Sequence, residues 1–186
     1  YLMAGQLVQV ATNTVTSAIS SFSLIDPNPS NDVYLLTVLN MQTTADNVIP
    51  RLRFTKASDS SANTSSNYDL ARVDLKSYTG FGDGFATNQD HYIMGVIGTP
   101  SPAENINAIY NIYNLFSASE FTFVTEESSN WNSIQSLSGG AGGGFLSVAE
   151  SHNGVNFSAV TGDVDNGIFS LYKIIWGIDE YRIWKN

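Results

Sequence analysis

Few side chains in this sequence are of the types that carry out acid–base or nucleophilic catalysis. The two histidines, His91 and His152, each lie in a polar, turn-like context, and neither has a second histidine at the helical spacing of a zinc motif. The sequence contains no Gly-x-Ser-x-Gly segment, which would mark a nucleophile on a strand-to-helix turn. We therefore expect both histidines to be surface or loop residues, and we expect a protein that is not an enzyme.

Two pairs of carboxylates have the residue types of a glycosidase acid and base. Such enzymes hold their two carboxyl groups about 5–9 Å apart across a cleft. Glu126 and Glu127 are adjacent in a predicted strand, so they should point to opposite faces of a sheet. Asp163 and Asp165 share a face, but they lie in a glycine-bounded turn. The pattern favours turn formation and surface charge over catalysis.

The segment 163–167, Asp-Val-Asp-Asn-Gly, partly matches a calcium-binding loop. An EF-hand loop has glycine at its sixth position and glutamate at its twelfth, whereas here glycine is fifth and Ile174 is twelfth. We therefore predict no bound metal ion, and no other motif predicts a cofactor.

Aromatic residues alternate with glycines in one segment, and their rings are the best candidates for a binding surface. Tyr78, Phe81 and Phe85 are interspersed with three glycines, which predicts a loop over residues 78–86. The rings either cover the core at one end of the fold, form a subunit interface, or stack on a glycan. Trp131, in a polar segment, is a similar candidate.

The carboxyl end is rich in large apolar side chains, although disorder is the usual state of a chain terminus. So much apolar surface must be buried on the domain itself or on a neighbouring chain. We predict a terminal strand or arm over residues 175–186. Its residues predicted to act in assembly are Trp176, Ile178, Tyr181, Ile183 and Trp184.

The 186 residues carry a formal net charge of −9, include no cysteine and are 42% hydrophobic. This length and composition predict one folded domain, which we place at residues 1–174. The acidic balance argues against nucleic acid or anionic lipid as a partner, because both attract Lys and Arg. The absence of cysteine excludes thiolate metal sites, cysteine nucleophiles and disulfides. No apolar run approaches the ~20 residues of a membrane-spanning helix.

Apolar residues recur with a period close to two along almost the whole chain, which indicates β-strands. Roughly ten short strands separated by turn residues predict an all-β fold, an antiparallel β-sandwich that is jelly-roll-like. The best helical candidate, 103–115, is dominated by asparagine and β-branched residues, which favour a strand. The glycine run 139–144 is predicted to be a loop, because glycine weakens a strand interior. Phe145 follows it in place of lysine, which excludes a phosphate-binding loop.

The order of several short motifs resembles that of β-rich modules in bacteriophage tail-fibre, receptor-binding and head-fibre proteins. The motifs are residues 17–24 (SAISSFSL), 31–37 (NDVYLLT), 44–47 (TADN), 52–54 (LRF), 66–69 (SNYD) and 154–174. The last stretch is most similar to the family, because it combines a strand, a Gly-Asx turn and a final strand with a Leu-Tyr pair. The resemblance covers residues 7–174, and it implies no catalytic residue in this chain.

The resemblance implies a structural virion protein that acts by assembly and surface adhesion. Its implied partners are copies of itself, with a trimer favoured, other virion proteins and a glycan on the host surface. The alternative is a carbohydrate-binding sandwich, which requires Tyr78, Phe81, Phe85 or Trp131 to line an open groove. A depolymerase with paired carboxylates is a third hypothesis, and the short chain without a repeated β-helix pattern argues against it.

Overall fold

A computed structural model describes residues 5–98, 104–132 and 136–175. These ranges contain twelve β-strands and no helix. In chain order the strands are β1 (Gln6–Val15), β2 (Ser21–Ile25), β3 (Val33–Thr43), β4 (Pro50–Lys56), β5 (Tyr68–Lys76), β6 (Gly80–Gln89), β7 (Tyr92–Ile93), β8 (Ile106–Tyr113), β9 (Thr122–Trp131), β10 (Leu137–Leu146), β11 (His152–Ala159) and β12 (Val164–Ile175).

The strands form two antiparallel sheets. The larger sheet has eight strands in the order β1-β12-β3-β8-β9-β10-β5-β6, and the smaller has four in the order β2-β11-β4-β7. An apolar core lies between them. The prediction of an all-β antiparallel sandwich is confirmed, whereas its jelly-roll-like character stays a prediction.

The alternation of side chains explains why these segments are strands. In β8, for example, Ile109 and Tyr113 point outward and are exposed, while the intervening inward positions are apolar and buried. Those inward residues are Ile106, Ala108, Tyr110 and Ile112. The sequence preference for a strand within 103–115 is therefore confirmed.

Three phenylalanine rings form a cluster between the two sheets. Phe22 on β2, Phe157 on β11 and Phe169 on β12 have ring centroids 4.8 to 5.2 Å apart. All eight residues of β11 are buried, since β2 and β4 flank this strand and the larger sheet covers it. The ring contacts therefore join the two sheets where the smaller one is most fully enclosed.

The prediction of a loop at 139–144 is wrong, because these residues form the middle of β10. This strand pairs with β5 on one side and β9 on the other. The neighbouring backbones approach so closely that a Cβ on Gly142 would lie 2.5 Å from the Ala71 carbonyl oxygen. A Cβ on Gly144 would lie 2.3 Å from the Asp69 carbonyl oxygen. Because the neighbouring backbones lie so close to β10, glycine is required at these positions despite its low strand propensity.

The loop predicted over 78–86 is also a strand from Gly80 onward. This strand, β6, is the edge of the larger sheet and pairs with β5. Added Cβ atoms on Gly82 and Gly84 would lie 3.1 Å from Lys76 Nζ and 3.0 Å from Arg72 Cγ, respectively. These two glycines therefore leave room for long charged side chains that extend over them from β5.

Replacing Gly144 with alanine should destabilise the fold by about 2 kcal/mol or more. The new Cβ would lie 2.3 Å from the Asp69 oxygen and 2.8 Å from the Tyr92 ring. Urea unfolding measures the change. Ala141→Ser, on an exposed position of the same strand, is the matched control and should stay within about 0.5 kcal/mol of the parent. Equal stability of the two variants would contradict the packing role of Gly144.

Candidate functional site

Four strands at one end of the larger sheet, β9, β10, β5 and β6, present different chemistry on their two faces. On β5, alternation places Arg72, Asp74 and Lys76 on the inner face, toward the smaller sheet, and Val73 and Leu75 on the outer face. Among the described strands, the smaller sheet reaches this end only through β7, which is two residues long. The inner side chains therefore line a cleft, and the outer ones face solvent.

The outer face carries a group of exposed apolar side chains, here called the exposed patch. Its members are Val73, Leu75, Phe81, Phe85, Trp131 and Leu137. Strand register holds them together: Leu75 stands opposite Phe81, and Leu137 stands opposite Trp131. Gly139 adds no side chain, so a hollow of about 330 Å³ opens beside Leu75, Phe81 and Leu137. This arrangement offers a partner both projecting rings and a recess.

The structure places three of the four predicted binding residues in the exposed patch. Phe81, Phe85 and Trp131 are 82%, 80% and 36% exposed. Tyr78, at 46% exposure, lies in the turn between β5 and β6 and lines the inner cleft instead. The alternative in which the rings cover the core is wrong for Phe81 and Phe85, because alternation in the edge strand directs both outward. The interface and glycan alternatives stay hypotheses.

The predicted carboxyl-terminal arm falls almost wholly outside the described residues. Strand β12 continues to Ile175, one residue past the predicted end of the sandwich at residue 174. The residues predicted to act in assembly, Trp176, Ile178, Tyr181, Ile183 and Trp184, all lie beyond that point.

The inner cleft has a volume of about 260 Å³. Most of its lining is polar and comes from strands, with the Tyr78 ring beside it. The polar side chains that the following analysis uses are Arg72, Asp74 and Lys76 on β5, Asn130 on β9 and Ser138 on β10. Gly95 and Val96 close one side, where Asn130 Nδ2 donates to the Val96 carbonyl at 2.6 Å. The cleft thus combines rigid walls with hydrogen-bonding groups.

An ion pair crosses the glycine strand on its inner face. Gly142 stands directly opposite both Arg72 on β5 and Glu126 on β9. Their side chains meet beside Gly140, where an added Cβ would lie 2.8 Å from Glu126 Oε1 and 3.2 Å from Arg72 Cδ. Arg72 Nη1 donates to Glu126 Oε1 at 3.2 Å and to the Ile93 carbonyl at 3.1 Å. Arg72 Nε donates to Asp74 Oδ1 at 2.8 Å. One guanidinium therefore ties two carboxylates and the β7 segment to the sheet.

Burial governs the electrostatics of this network. Burial raises the pKa of Glu126, and the Arg72 charge opposes that rise without cancelling it. Within the described residues, the second carboxylate oxygen of Glu126 is buried without a hydrogen-bond partner, as are the hydroxyls of Tyr92 and Tyr110. Tyr92 interacts with this carboxyl electrostatically, without a hydrogen bond of good geometry, and burial raises the pKa of both tyrosines. Such a group is a structural charge rather than one that a substrate could reach.

The prediction that Glu126 and Glu127 point to opposite faces is confirmed. Glu126 is 3% exposed and faces inward, whereas Glu127 lies on the outer face and is exposed. The two carboxyls therefore cannot act on one bond from opposite sides of a shared cleft.

Both histidines are buried. The expectation of a loop position is confirmed for His91, which lies between β6 and β7, and the expectation of a surface or loop position is wrong for His152, a core residue of β11. His152 begins β11 and is packed beside the Phe54 ring. The Asn63 amide donates to its Nε2 at 3.4 Å, so its Nδ1 carries the proton and donates to Thr122 Oγ1 at 3.0 Å. Burial, with a smaller contribution from Lys56, lowers the pKa of His152 to about 4. The imidazole is a neutral core group.

Candidate metal ligands do not converge in the part of the chain that the structure describes. There, no three histidine, aspartate or glutamate side chains lie together as a metal site requires. Asp163 precedes β12, and its backbone N–H donates to Thr44 Oγ1 at 2.9 Å. Asp165 belongs to β12, and Gly167 has a φ of +141°, which a side chain rarely adopts. The segment 163–167 therefore acts as a turn into a strand.

Sequence reasoning missed the Arg72–Glu126 pair. The period-two spacing of Arg72, Asp74 and Lys76 could have predicted a charged strand face. Nothing local connects Arg72 with Glu126, since their pairing depends on β10 lying between their strands. The glycine run was the only signal of that arrangement, and glycine normally indicates a loop.

No family model matches this chain, and neither a curated protein nor a solved structure matches it. Within the described ranges, no helix has the length and hydropathy needed to cross a membrane. What the chain does must therefore be inferred from the two faces of the sheet.

Replacing Arg72 with methionine should destabilise the fold by about 3–5 kcal/mol, because Glu126 would stay buried without its counter-charge. The double variant Arg72→Met/Glu126→Leu should recover at least half of that loss, since the unpaired charge is removed. Urea unfolding of the single and double variants measures both. Lys76→Met, on the same strand face but without an ion-pair partner in the described part of the chain, is the matched control and should change stability little. A double variant no more stable than Arg72→Met would argue against the ion pair.

Stability should fall as pH drops from about 6.5 to about 4, by roughly 3 kcal/mol from His152 alone. The sign follows from its lowered pKa of about 4: below pH 6.5 the unfolded chain binds a proton that the folded chain does not. Urea unfolding across this range checks the slope, and His152→Gln should flatten it. In the folded protein, the His152 ring signals in NMR spectra should stay those of the neutral form at pH 5.5. A midpoint near 6.5 would contradict the buried, neutral assignment.

Proposed function

We propose that this chain is a structural, non-catalytic module of the bacteriophage virion type, which assembles with copies of itself through the exposed patch. The observation that carries this proposal is the exposure of Phe81 and Phe85, at 82% and 80%, on one face of an edge strand. Large exposed apolar side chains grouped on one face of a folded domain mark an interaction site.

Phe81 and Phe85 have the properties of interface anchors. Aromatic side chains are enriched at interfaces, and a few buried anchors supply most of the binding energy. Transfer of a phenylalanine side chain from water is worth about 1.5–3 kcal/mol. Leu75 and Leu137 lie beside the hollow at Gly139, so a neighbouring copy could insert its own ring there. Projecting rings and a recess on the same face favour a partner with the same surface.

The open edge of β6 supports the same proposal. In the described part of the chain, β6 pairs only with β5, so its outer backbone groups have no strand partner. Natural edge strands are commonly protected by lysine, proline or a bulge. The ten residues of β6 include neither lysine nor proline, and Asp83 is their one charged residue. The register shift of the β5–β6 pair falls beyond Ala86, so the stretch from Gly80 to Ala86, which carries both phenylalanines, is regular. The edge is therefore suited to pairing with another strand.

Assembly of identical subunits suits the virion role that the motif resemblance implies. Repeated display raises the effective concentration of weak contacts with a surface or with other virion proteins. We therefore propose a homo-oligomer, with a trimer favoured, on an extracellular particle.

The double variant Phe81→Ser/Phe85→Ser should weaken self-association about a hundredfold, because two central anchors are lost. Sedimentation velocity at micromolar protein measures the species present, with the parent chain expected above the monomer mass. Leu39→Ser/Ile168→Ser, an exposed facing pair on β3 and β12, is the matched control and should leave association unchanged. A parent chain that is monomeric at tens of micromolar would overturn the proposal.

Carbohydrate binding is the second candidate function. The specific observation that favours it is the Tyr78 ring, 46% exposed, beside a cleft lined by carboxylate, amide, hydroxyl and ammonium groups. Aromatic rings with adjacent polar groups suit the apolar faces and hydroxyl edges of sugars.

A further inference from the structure

We propose that the inner cleft is a binding site for one neutral sugar ring, held between Tyr78, Lys76 and Asp74. This inference rests on the second candidate function, carbohydrate binding, and is independent of assembly through the exposed patch. The cleft opens on the opposite face of the sheet from Phe81 and Phe85, so the two proposals concern different surfaces.

Glycines on β6 and β10 leave room for the charged side chains of β5, and Gly95 and Gly139, which have no side chains, line the cleft itself. Gly82 and Gly84 on β6 are opposite Asp74 and Arg72, where any other residue would direct a side chain inward. Gly140 on β10 is also opposite Asp74, on the other side of β5. The short strand β7 leaves this end of the inner face uncovered by the smaller sheet. The volume of about 260 Å³ lies just below the ~300 Å³ at which pockets for drug-sized ligands begin, which suits one ring.

The hydrogen-bonding groups of the cleft have capacity left for a ligand. Lys76 Nζ has no hydrogen-bond or ion-pair partner among the described residues, although it lies in a partly buried position. Asp74 uses Oδ1 to accept from Arg72 and leaves Oδ2 free of a partner in the same ranges. Ser138 contributes a hydroxyl to the lining. A sugar hydroxyl can donate to the carboxylate while accepting from the ammonium, which satisfies both groups.

The charge of the cleft favours a neutral ligand. Lys76 and Arg72 carry positive charge, and Asp74 and the adjoining Glu126 balance it. The whole chain has a net charge of −9, which repels anions as they approach. A neutral polyol meets no such repulsion and can use donors and acceptors equally.

The site is held rigidly before a ligand arrives. Arg72 fixes the Asp74 carboxylate at 2.8 Å and is itself held by Glu126 and the Ile93 carbonyl. Asn130, on the adjoining wall, is fixed by its bond to Val96. Preformed polar groups reduce the entropy lost on binding, so weak individual contacts can give measurable affinity.

Saturation-transfer difference NMR tests the site with methyl glycosides of glucose, galactose, mannose and N-acetylglucosamine, and with glucuronate as an anionic probe. At least one neutral glycoside should bind, and it should shift the amide signals of Gly95, Val96 and Asn130, which line the cleft but not the hollow of the exposed patch. Lys76→Met and Tyr78→Ala should each weaken binding about tenfold, since each removes one main contact. Neither side chain holds the fold together, so both variants should remain folded.

Two controls separate this site from the exposed patch. Tyr113→Ala removes an exposed tyrosine from the outer face, and Phe81→Ser/Phe85→Ser removes the proposed assembly anchors. Both should retain glycoside binding unchanged. Absence of binding by every neutral glycoside, binding of glucuronate alone, or equal binding by Lys76→Met and the parent chain would each overturn the inference, while leaving assembly through Phe81 and Phe85 unaffected.

Discussion

The close approach of three backbones at β10 is the constraint on which this end of the molecule depends. Gly142 and Gly144 lie so near the neighbouring carbonyls that no side chain fits. Because Gly140, on the same strand, has no side chain, Arg72 and Glu126 reach each other across the strand at 3.2 Å. Gly139, on the same strand, lines both the hollow on the outer face and the inner cleft. Backbone packing thus determines both surfaces.

The buried charges follow from that packing, and they position groups rather than simply add stability. A buried ion pair seldom stabilises a fold more than apolar residues of similar size would. Here Arg72 holds Asp74 in place and joins β5, β9 and the backbone at Ile93. These strands would otherwise be connected at their inner face only through a strand with almost no side chains. The buried Glu126 therefore serves to orient the side chains of the cleft wall.

Alternation predicted the sandwich and most strands, because burial of one sheet face imposes a period of two. It failed at residues 139–144 and 80–86, where glycine has low local strand propensity but is required by neighbours far away in sequence. The same limit applies to sites. Rings at Phe81, Phe85 and Trp131 could be identified by type, and alternation explains their shared face. The buried position of His152 could not be predicted, since its contacts with Asn63 and Thr122 come from separate segments.

The division between the two faces has a consequence for how such a module would work. Contacts between copies through the exposed patch would cover Phe81 and Phe85 but leave the cleft, on the other side of the same strands, open to solvent. Each copy added would then add one more ligand site at a fixed spacing. Linked sites bind a repetitive surface far more tightly than one site binds its ligand, provided that several can engage at once. Weak recognition at each cleft is therefore compatible with firm adhesion by the assembly.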